Sequence, residues 1–304
     1  MKISTSYLFD SATSRMSTLQ NKLANTQAQL SESKQVLSPS DAPDQAAAIQ
    51  RLQGEIDRQN SHQNLLKNAL SRYQAEEAAM SSASDILIRL KELSLQASND
   101  TLNSDDRNSI AVEMSALRDQ LFSLGNTRDD NGNYLFSGTR VNAAAFTRNS
   151  NDQVLYQGDQ TLTRIPAGVE RTVQFTRSGS DVFQRVVRPD GESLSFFDAL
   201  KEVIQATLDG DSEAMRQGTD DLTKMHSALS LAQAQNGSDQ NTVESQLNVL
   251  EQNSLRLKST LSDIQDLDYA EAVTRMNKEM MAMQAAMSSF AKISGLSLFD
   301  YIKG

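Results

Sequence analysis

The last 37 residues, Asp268–Gly304, read DYAEAVTRMNKEMMAMQAAMSSFAKISGLSLFDYIKG, and this stretch decides how the rest of the chain is understood. Its apolar residues fall at Tyr269, Val273, Met276, Met280, Met283, Met287 and Phe290, in steps of 4, 3, 4, 3, 4 and 3. That is the a/d spacing of a coiled-coil seam. A helix lined in this way cannot bury its stripe alone. The other end of the chain offers a partner, because Phe9, Ala12, Met16, Leu19, Leu23, Thr26, Leu30, Ser33 and Leu37 step 3 and 4 without a break. Matching seams at opposite ends predict that the termini come together, with everything else hung between them.

Composition agrees with thin helical packing. Of the 304 residues, 38% are apolar and 5% aromatic, with no Trp, which suits long paired helices better than one thick core. The formal charge is −10, yet in residues 1–44 Lys2, Arg15, Lys22 and Lys34 cancel Asp10, Glu32, Asp41 and Asp44. In 268–304, Arg275, Lys278, Lys292 and Lys303 likewise cancel Asp268, Glu271, Glu279 and Asp300, so the acidity lies between the seams. Neutral ends fit self-packing, and an acidic middle argues against a nucleic-acid partner. With no cysteine, disulfides, thiolate metal sites and Cys nucleophiles are excluded. The N-terminal run Met1–Ser6 has no apolar core of a cleaved signal, and no stretch has the length of a membrane span, so no membrane partner is expected.

Between the seams the pattern is mainly helical. Ser38-Pro39-Ser40-Asp41-Ala42-Pro43-Asp44 forms a first hinge, with Ser40 or Asp41 as the expected N-cap of the next helix and Pro43 in its first turn. Ile49, Leu52, Ile56, Gln59, Gln63, Leu66, Leu70, Tyr73, Glu77, Met80, Ser84 and Leu87 then carry a 3/4 pattern to about Ser98. Some 50 residues at about 1.5 Å each predict a rod of about 75 Å. A shorter helix follows on Ile110, Met114, Leu117, Leu121 and Leu124, capped at Ser104–Asp106 and ended by Gly125-Asn126.

Asn131-Gly132 predicts a type I′ hairpin turn before a strand Tyr134–Phe136. Short strands are expected at 154–156, 162–165, 171–175 and 182–183. Helix resumes over 196–208, breaks at Asp209-Gly210-Asp211 and runs to Gln235, with a turn at Asn236–Asp239 before the last limb. Asp268 and Glu271, spaced as a capping box, mark a second hinge. The expected class is therefore mainly α with a small β insert, a coiled-coil-like helical rod with paired terminal helices. Its segments are 1–44, 45–138, 139–192, 193–267 and 268–304.

Residues for catalysis are sparse. His62 and His226 stand in polar helical stretches without metal spacing, and there is no phosphate loop or nucleophile elbow. Asp129-Asp130-Asn131-Gly132-Asn133 echoes a calcium loop, but Tyr134 and Arg140 occupy the positions that need Gly and a bidentate Glu, and the hairpin reading prevails. No catalytic residue, metal or cofactor is expected. The cluster Met276, Met280, Met281, Met283 and Met287 reads as helix core or as an adaptable surface for a partner. A membrane-binding reading would need a cationic face that this neutral segment lacks.

Four motifs carry a family resemblance: Met1-Lys2-Ile3-Ser4-Thr5-Ser6, Leu37-Ser38-Pro39-Ser40-Asp41-Ala42-Pro43, Gly132-Asn133-Tyr134-Leu135-Phe136-Ser137-Gly138, and Leu296-Ser297-Leu298-Phe299-Asp300-Tyr301. In this order they are similar to the bacterial flagellar hook-associated protein 3 family, which is flagellin-like; Tyr156-Gln157-Gly158-Asp159 extends the likeness loosely into the insert. The resemblance implies a structural subunit of the hook–filament junction, extracellular on the flagellum and exported by the flagellar type III route. It implies hook-associated protein 1 below, flagellin above, copies of the chain in a ring and an export chaperone at the C-terminal region. It also implies terminal helices that are disordered before assembly. Partner binding would then fall to Phe9, Met16, Leu19, Leu23, Leu30, Val273, Met276, Met280, Met283, Met287, Phe290, Leu298 and Phe299, with Pro39, Asp41, Pro43 and Asp268 as hinges. Filament flagellin, or a type III-secreted coiled-coil protein, is the alternative.

Overall fold

The structure, a computed structural model, describes residues 2–302 except Asp100, Val169, Glu170 and Asp190; the side chains described are those of Tyr7 and of 9–292 with the same exceptions. The chain divides into two compact units, one made of residues 1–61 and 251–304 and the other of residues 62–250. Seven helices and six short strands are present among the described residues.

In the first unit, helix α1 (Lys2–Glu32) packs on helix α7 (Tyr269–Ile302). The pair is antiparallel, since Phe9 packs against Phe290, the rings tilted with 4.9 Å between centroids, while the Tyr269 hydroxyl reaches the Leu30 carbonyl at 3.5 Å. The predicted first seam overshoots: α1 stops at Glu32, Ser33 turns into the left-handed region at φ 59°, and Leu37 lies beyond the helix. The chain turns here because the connector pairs with the one that precedes α7. Lys34 bridges Asp266, the Gln35 amide donates to the Gln265 carbonyl at 2.8 Å, and the Leu267 amide donates to Ser33 at 3.2 Å. Helix α2 (Pro43–Ala97) opens with Pro43, whose missing N–H costs nothing in a first turn. Its cap is neither Ser40 nor Asp41: the Ala42 carbonyl takes the first helical bond, and the Asp41 carboxylate turns back to the Ser38 amide at 2.9 Å.

The second unit holds the core. Along α2 the buried heptads are Leu66, Tyr73, Met80, Leu87 and Ser94, interleaved with Ala69, Glu76, Ala83, Leu90 and Ala97. The interleaved set sits one residue before the predicted Leu70, Glu77 and Ser84, because small residues at 69, 83 and 97 let neighbouring elements approach closely. Helix α3 (Ser104–Gly125) is capped by Asn103, whose side chain accepts from the Asp106 amide at 2.8 Å, rather than by Ser104–Asp106. It lies against helix α5 (Phe196–Asp209), which ends on the left-handed Gly210 at φ 70°.

Helix α6 (Ser212–Gln265) is unbroken, which corrects the turn expected at Asn236–Asp239. Asn236 is fully buried there and donates from Nδ2 to the Tyr73 carbonyl at 2.9 Å, and the Asp239 carboxylate meets Arg177 at 3.4 Å. Packing therefore overrides local turn propensity.

The insert is built of three separate two-stranded antiparallel sheets. Strand β1 (Phe146–Arg148) pairs with β2 (Val154–Tyr156), β3 (Arg164–Pro166) with β4 (Thr172–Gln174), and β5 (Val186–Val187) with β6 (Ser193–Leu194). The strand expected at 182–183 is instead the end of a helical turn, α4 (Gly179–Val182), with Phe183 as its cap. Residues 134–136 make only an isolated bridge, Arg128 to Tyr134. The turn before them is not type I′, which needs positive φ at both central residues. Only Gly132 (φ 82°) is left-handed, and its amide donates to the Asp129 carbonyl at 2.9 Å, so the loop is a type I turn followed by a left-handed glycine.

Candidate assembly surface

The α1 side of the terminal pair buries the residues expected of it. Met16, Leu19, Leu23 and Leu30 are half-buried, Thr26 is buried, and Phe9 is half-exposed against Phe290. On α7 the inward stripe is Ala272 and Met283, both buried, with Met276, Glu279, Ala286 and Phe290 half-buried. Three of the expected residues, Met276, Met283 and Phe290, therefore face α1. The other three do not: Val273, Met280 and Met287 are 41%, 42% and 48% exposed and stand seven residues apart on the flank. The small Ala272 and Ala286 take the contact positions and rotate the heavier side chains outward. Met281 is more exposed still. The side chains of Leu298 and Phe299 lie outside the described residues.

The hinge residues are set as follows. Pro39 and Asp41 are exposed in the first connector, and Pro43 is exposed at the start of α2. Asp268 caps α7, its Oδ1 accepting from the amides of Ala270 at 2.9 Å and Glu271 at 3.1 Å. A carboxylate at this end also favours the helix dipole.

In the second unit the motif residues 132–138 and 156–159 meet around one hydroxyl. Tyr156 Oη lies 2.9 Å from the Asp159 carbonyl, 3.1 Å from that of Phe136 and 2.8 Å from Ser178 Oγ, and it accepts from the Gly179 amide at 3.2 Å. Burial pushes its pKa up. Glycine is required at two adjoining places. Gly138 has φ +69° and its missing side chain leaves room for Asp159; a Cβ on Gly179 would stand 2.8 Å from the Tyr156 ring and 2.9 Å from the Phe136 carbonyl. Around them Phe136, Phe146, Phe183, Phe196 and Phe197 pack mostly edge to face. No sequence pattern pointed to this aromatic cluster, whose members come from four separate segments.

A second anchor is ionic. Arg177, just after β4, is buried and meets Glu76 of α2 at 3.1 Å and Asp239 of α6 at 3.4 Å; Arg72 meets Glu76 at 3.2 Å and donates to the Leu135 carbonyl at 2.6 Å. Burial pushes the Glu76 and Asp239 carboxyls up, while Arg177 pulls both down and Arg72 helps at Glu76. Arg188 is tied at 2.8 Å to buried Asp221 and at 2.7 and 2.9 Å to Glu202 and Glu192. Burial disfavours that cation, but its carboxylate partners outweigh burial and hold its pKa above the ordinary arginine value.

His62 Nε2 faces the Pro166 carbonyl at 2.9 Å, and His226 Nε2 faces Ser84 Oγ at 3.2 Å. The Asp129 carboxylate is spent on the amides of Asn131 and Asn133, both at 2.9 Å, and on Arg72. Among the described residues no group of three or more His, Cys, Asp or Glu is arranged to hold a metal, and no helix is long and apolar enough to cross a membrane.

Residues 3–141 match the bacterial flagellin N-terminal helical region and residues 219–302 the C-terminal helical region. Paired terminal helices bracketing a short-stranded insert thus define a protein of the flagellin class. Flagellar hook-associated protein 3 of Escherichia coli K12 is 30% identical over 90% of this chain and 91% of its own length. Flagellin of Bacillus subtilis 168 is 26% identical over 83% of each. The crystal structure of the flagellar junction protein FlgL from Legionella pneumophila superposes with a TM-score of 0.54 at 20% identity, over 67% of this chain and 99% of that one. The chain belongs to the flagellar hook-associated protein 3 family, and it is a structural component of the bacterial flagellum that associates with other flagellar components.

Proposed function

We propose that the chain is a structural subunit of the hook–filament junction, adapting hook-associated protein 1 below to flagellin above in a ring of its own copies. It reaches that place through the flagellar export channel, met by an export chaperone at its C-terminal region. In this reading 1–44 and 268–304 form the terminal coiled-coil domain, 45–138 and 193–267 the helical limbs, and 139–192 the insert. The supporting observation is the row Val273, Met280 and Met287, left exposed at heptad spacing beside a seam already filled within the chain. A stripe with this period fits a further helix, and methionine conforms to neighbours that are not identical.

The test separates the two faces of α7. Met280→Asp with Met287→Asp charges the exposed row and should leave helix content and thermal unfolding of the soluble chain unchanged while abolishing incorporation into flagella. Met283→Asp strikes the buried seam and should weaken the α1–α7 pair as well. Normal incorporation of the Met280/Met287 variant refutes the assembly role of the row. Self-polymerisation of the parent into long filaments without other components would favour a filament flagellin instead.

A further inference from the structure

The sequence holds two Asn-Gly dipeptides, Asn131-Gly132 and Asn236-Gly237, and the fold treats them oppositely. Asparagine before glycine is prone to deamidation, because glycine puts no side chain in the way and leaves the backbone free to bring the reacting atoms together. The glycine main-chain nitrogen attacks the asparagine Cγ. As that N–C bond forms the Cγ–Nδ2 bond breaks, and ammonia leaves with the proton of the attacking nitrogen. Water then opens the succinimide ring, leaving aspartate or isoaspartate where the amide stood. Asn131 lies on an exposed loop, where the Gly132 amide is held by one hydrogen bond to the Asp129 carbonyl at 2.9 Å. Asn236 is 0% exposed in the middle of α6. There the attacking nitrogen is tied into the helical ladder, helical backbone angles hold it away from Cγ, and Asn236 Nδ2 donates to the Tyr73 carbonyl at 2.9 Å. Ring closure at 236 therefore waits on opening of the helix and slows in proportion to the open population.

We infer that Asn236 is a deamidation site of the unfolded chain alone, and that its modification there bars the chain from the native fold. The surroundings that shelter the amide reject its products. An aspartate would set a lone pair against the Tyr73 carbonyl in place of the Nδ2 donor, leaving Gln240 Nε2, at 3.5 Å, as the remaining side-chain donor. On the other side Asn236 Oδ1 lies 3.5 Å from an Arg177 nitrogen, but that guanidinium is already shared by Glu76 at 3.1 Å and Asp239 at 3.4 Å. Arg72, the other cation here, is divided between Glu76 at 3.2 Å and Asp129 at 3.6 Å. A carboxylate at 236 would be a fourth acid against two cations, and a buried charge without a partner of its own is destabilising. Isoaspartate is worse, since it adds a methylene to the main chain within α6 and throws the helix out of phase beyond it. The glycine is not needed for space, because a Cβ on Gly237 would meet nothing within 4 Å. Alanine there would hinder ring closure and suit the helix.

The test ages the full chain in mildly alkaline buffer, either folded or in guanidinium chloride, and follows amide-to-acid conversion at each site by peptide mass spectrometry. Asn236 should convert in denaturant and be slowed about tenfold or more by folding, whereas Asn131 should convert faster than Asn236 in the folded chain. The aged denatured chain is then refolded by dilution and its soluble monomer collected by size exclusion. That monomer should hold about tenfold less modified 236 than the whole sample, the selection expected of an unpaired buried charge. Asn236→Asp, encoded from the start, should refold poorly. Gly237→Ala, aged in the same way, should lose less of its refolding yield than the parent. Conversion of Asn236 in the folded chain as fast as in denaturant, or as fast as that of Asn131, overturns the inference. So does modified 236 in undiminished proportion in the refolded monomer, parental refolding of Asn236→Asp, or an equal loss of yield in aged Gly237→Ala.

Discussion

Replacing Tyr156 by phenylalanine removes one oxygen from the point where the insert meets its support. That oxygen has one proton to give and two lone pairs. The Asp159 carbonyl at 2.9 Å is the best-placed acceptor, while the Gly179 amide at 3.2 Å and Ser178 Oγ at 2.8 Å supply donors. The Phe136 carbonyl keeps the Gly179 amide at 2.7 Å, so it is not orphaned by the change. The loss is then a net hydrogen bond plus the cost of leaving part-buried polar groups unmet, about 1–3 kcal/mol together. For a unit of this size that lowers the midpoint of thermal unfolding by roughly 3–9 °C. A Gly158→Ala substitution attacks the same point by overpacking, since its Cβ would fall on the Tyr156 hydroxyl and stand 2.8 Å from the Ser137 carbonyl, at about 1–3 kcal/mol. The two changes share an atom, so they must not add. In the double variant the hydroxyl is gone, although ring Cζ, 2.5 Å from that Cβ, remains, and the combined loss should fall short of the sum by about 1 kcal/mol, beyond the 0.3–0.5 or so expected of independent sites. Urea unfolding followed by circular dichroism gives all four corners of the cycle. Additivity within error would refute the claim that Tyr156 Oη and Gly158 occupy one packed site.

Two further outcomes follow from buried charge. Arg177→Leu leaves Glu76, 1% exposed, with Arg72 as its remaining cation and takes the cation from Asp239, and should cost about 3–5 kcal/mol in urea unfolding, with Glu76→Leu added to it restoring part of the loss; a cost under about 1 kcal/mol would show that the ion pair carries little. Asp152, which meets the buried Arg118 at 2.7 Å, has its pKa held below the ordinary aspartate value: burial raises it, but the hydrogen bond and charge of Arg118, with Arg148, outweigh burial. A depressed carboxyl contributes stability above its unfolded pKa of about 3.9 and loses it as pH falls through the lower folded value. Asp152→Asn should therefore flatten the acid limb of the stability profile below about pH 4, and an unchanged limb would contradict the pairing.

The terminal helices were legible because a 3/4 step sustained through Met16, Leu23, Met276 and Met283 leaves few other readings, and Asp268 announced where the last helix begins. What the pattern could not show was the phase of α7 around its own axis. That was settled by Ala272 and Ala286, which carry little weight in a hydrophobicity count yet decide how near two backbones come. Asn236-Gly237 misled for the opposite reason: its turn propensity is real, but Asn236 finds the Tyr73 carbonyl within the core and the helix runs through. Strand β1 went unseen because Phe146-Thr147-Arg148 is three residues long, and only its pairing with β2 makes it a strand. The ionic anchor was beyond reach, since Glu76, Arg177 and Asp239 are distant in the chain and look like any solvated charges until the fold gathers them.

The joint at Tyr156 holds mostly main-chain atoms: the carbonyls of Phe136 and Asp159 and the amide of Gly179. A fastening that grips backbone is indifferent to what the outward side chains are. Leu155 and Val187, both well exposed on the insert strands, can be exchanged for other chemistry without loosening it. The β1–β2 turn at Asn149–Asp152 offers a place where foreign peptide could be spliced, at the cost of the contacts of Asp152 with Arg118 and Arg148 and of Asn151 with Lys201. The outer face can thus drift, or be redesigned, on a schedule separate from that of the helices beneath.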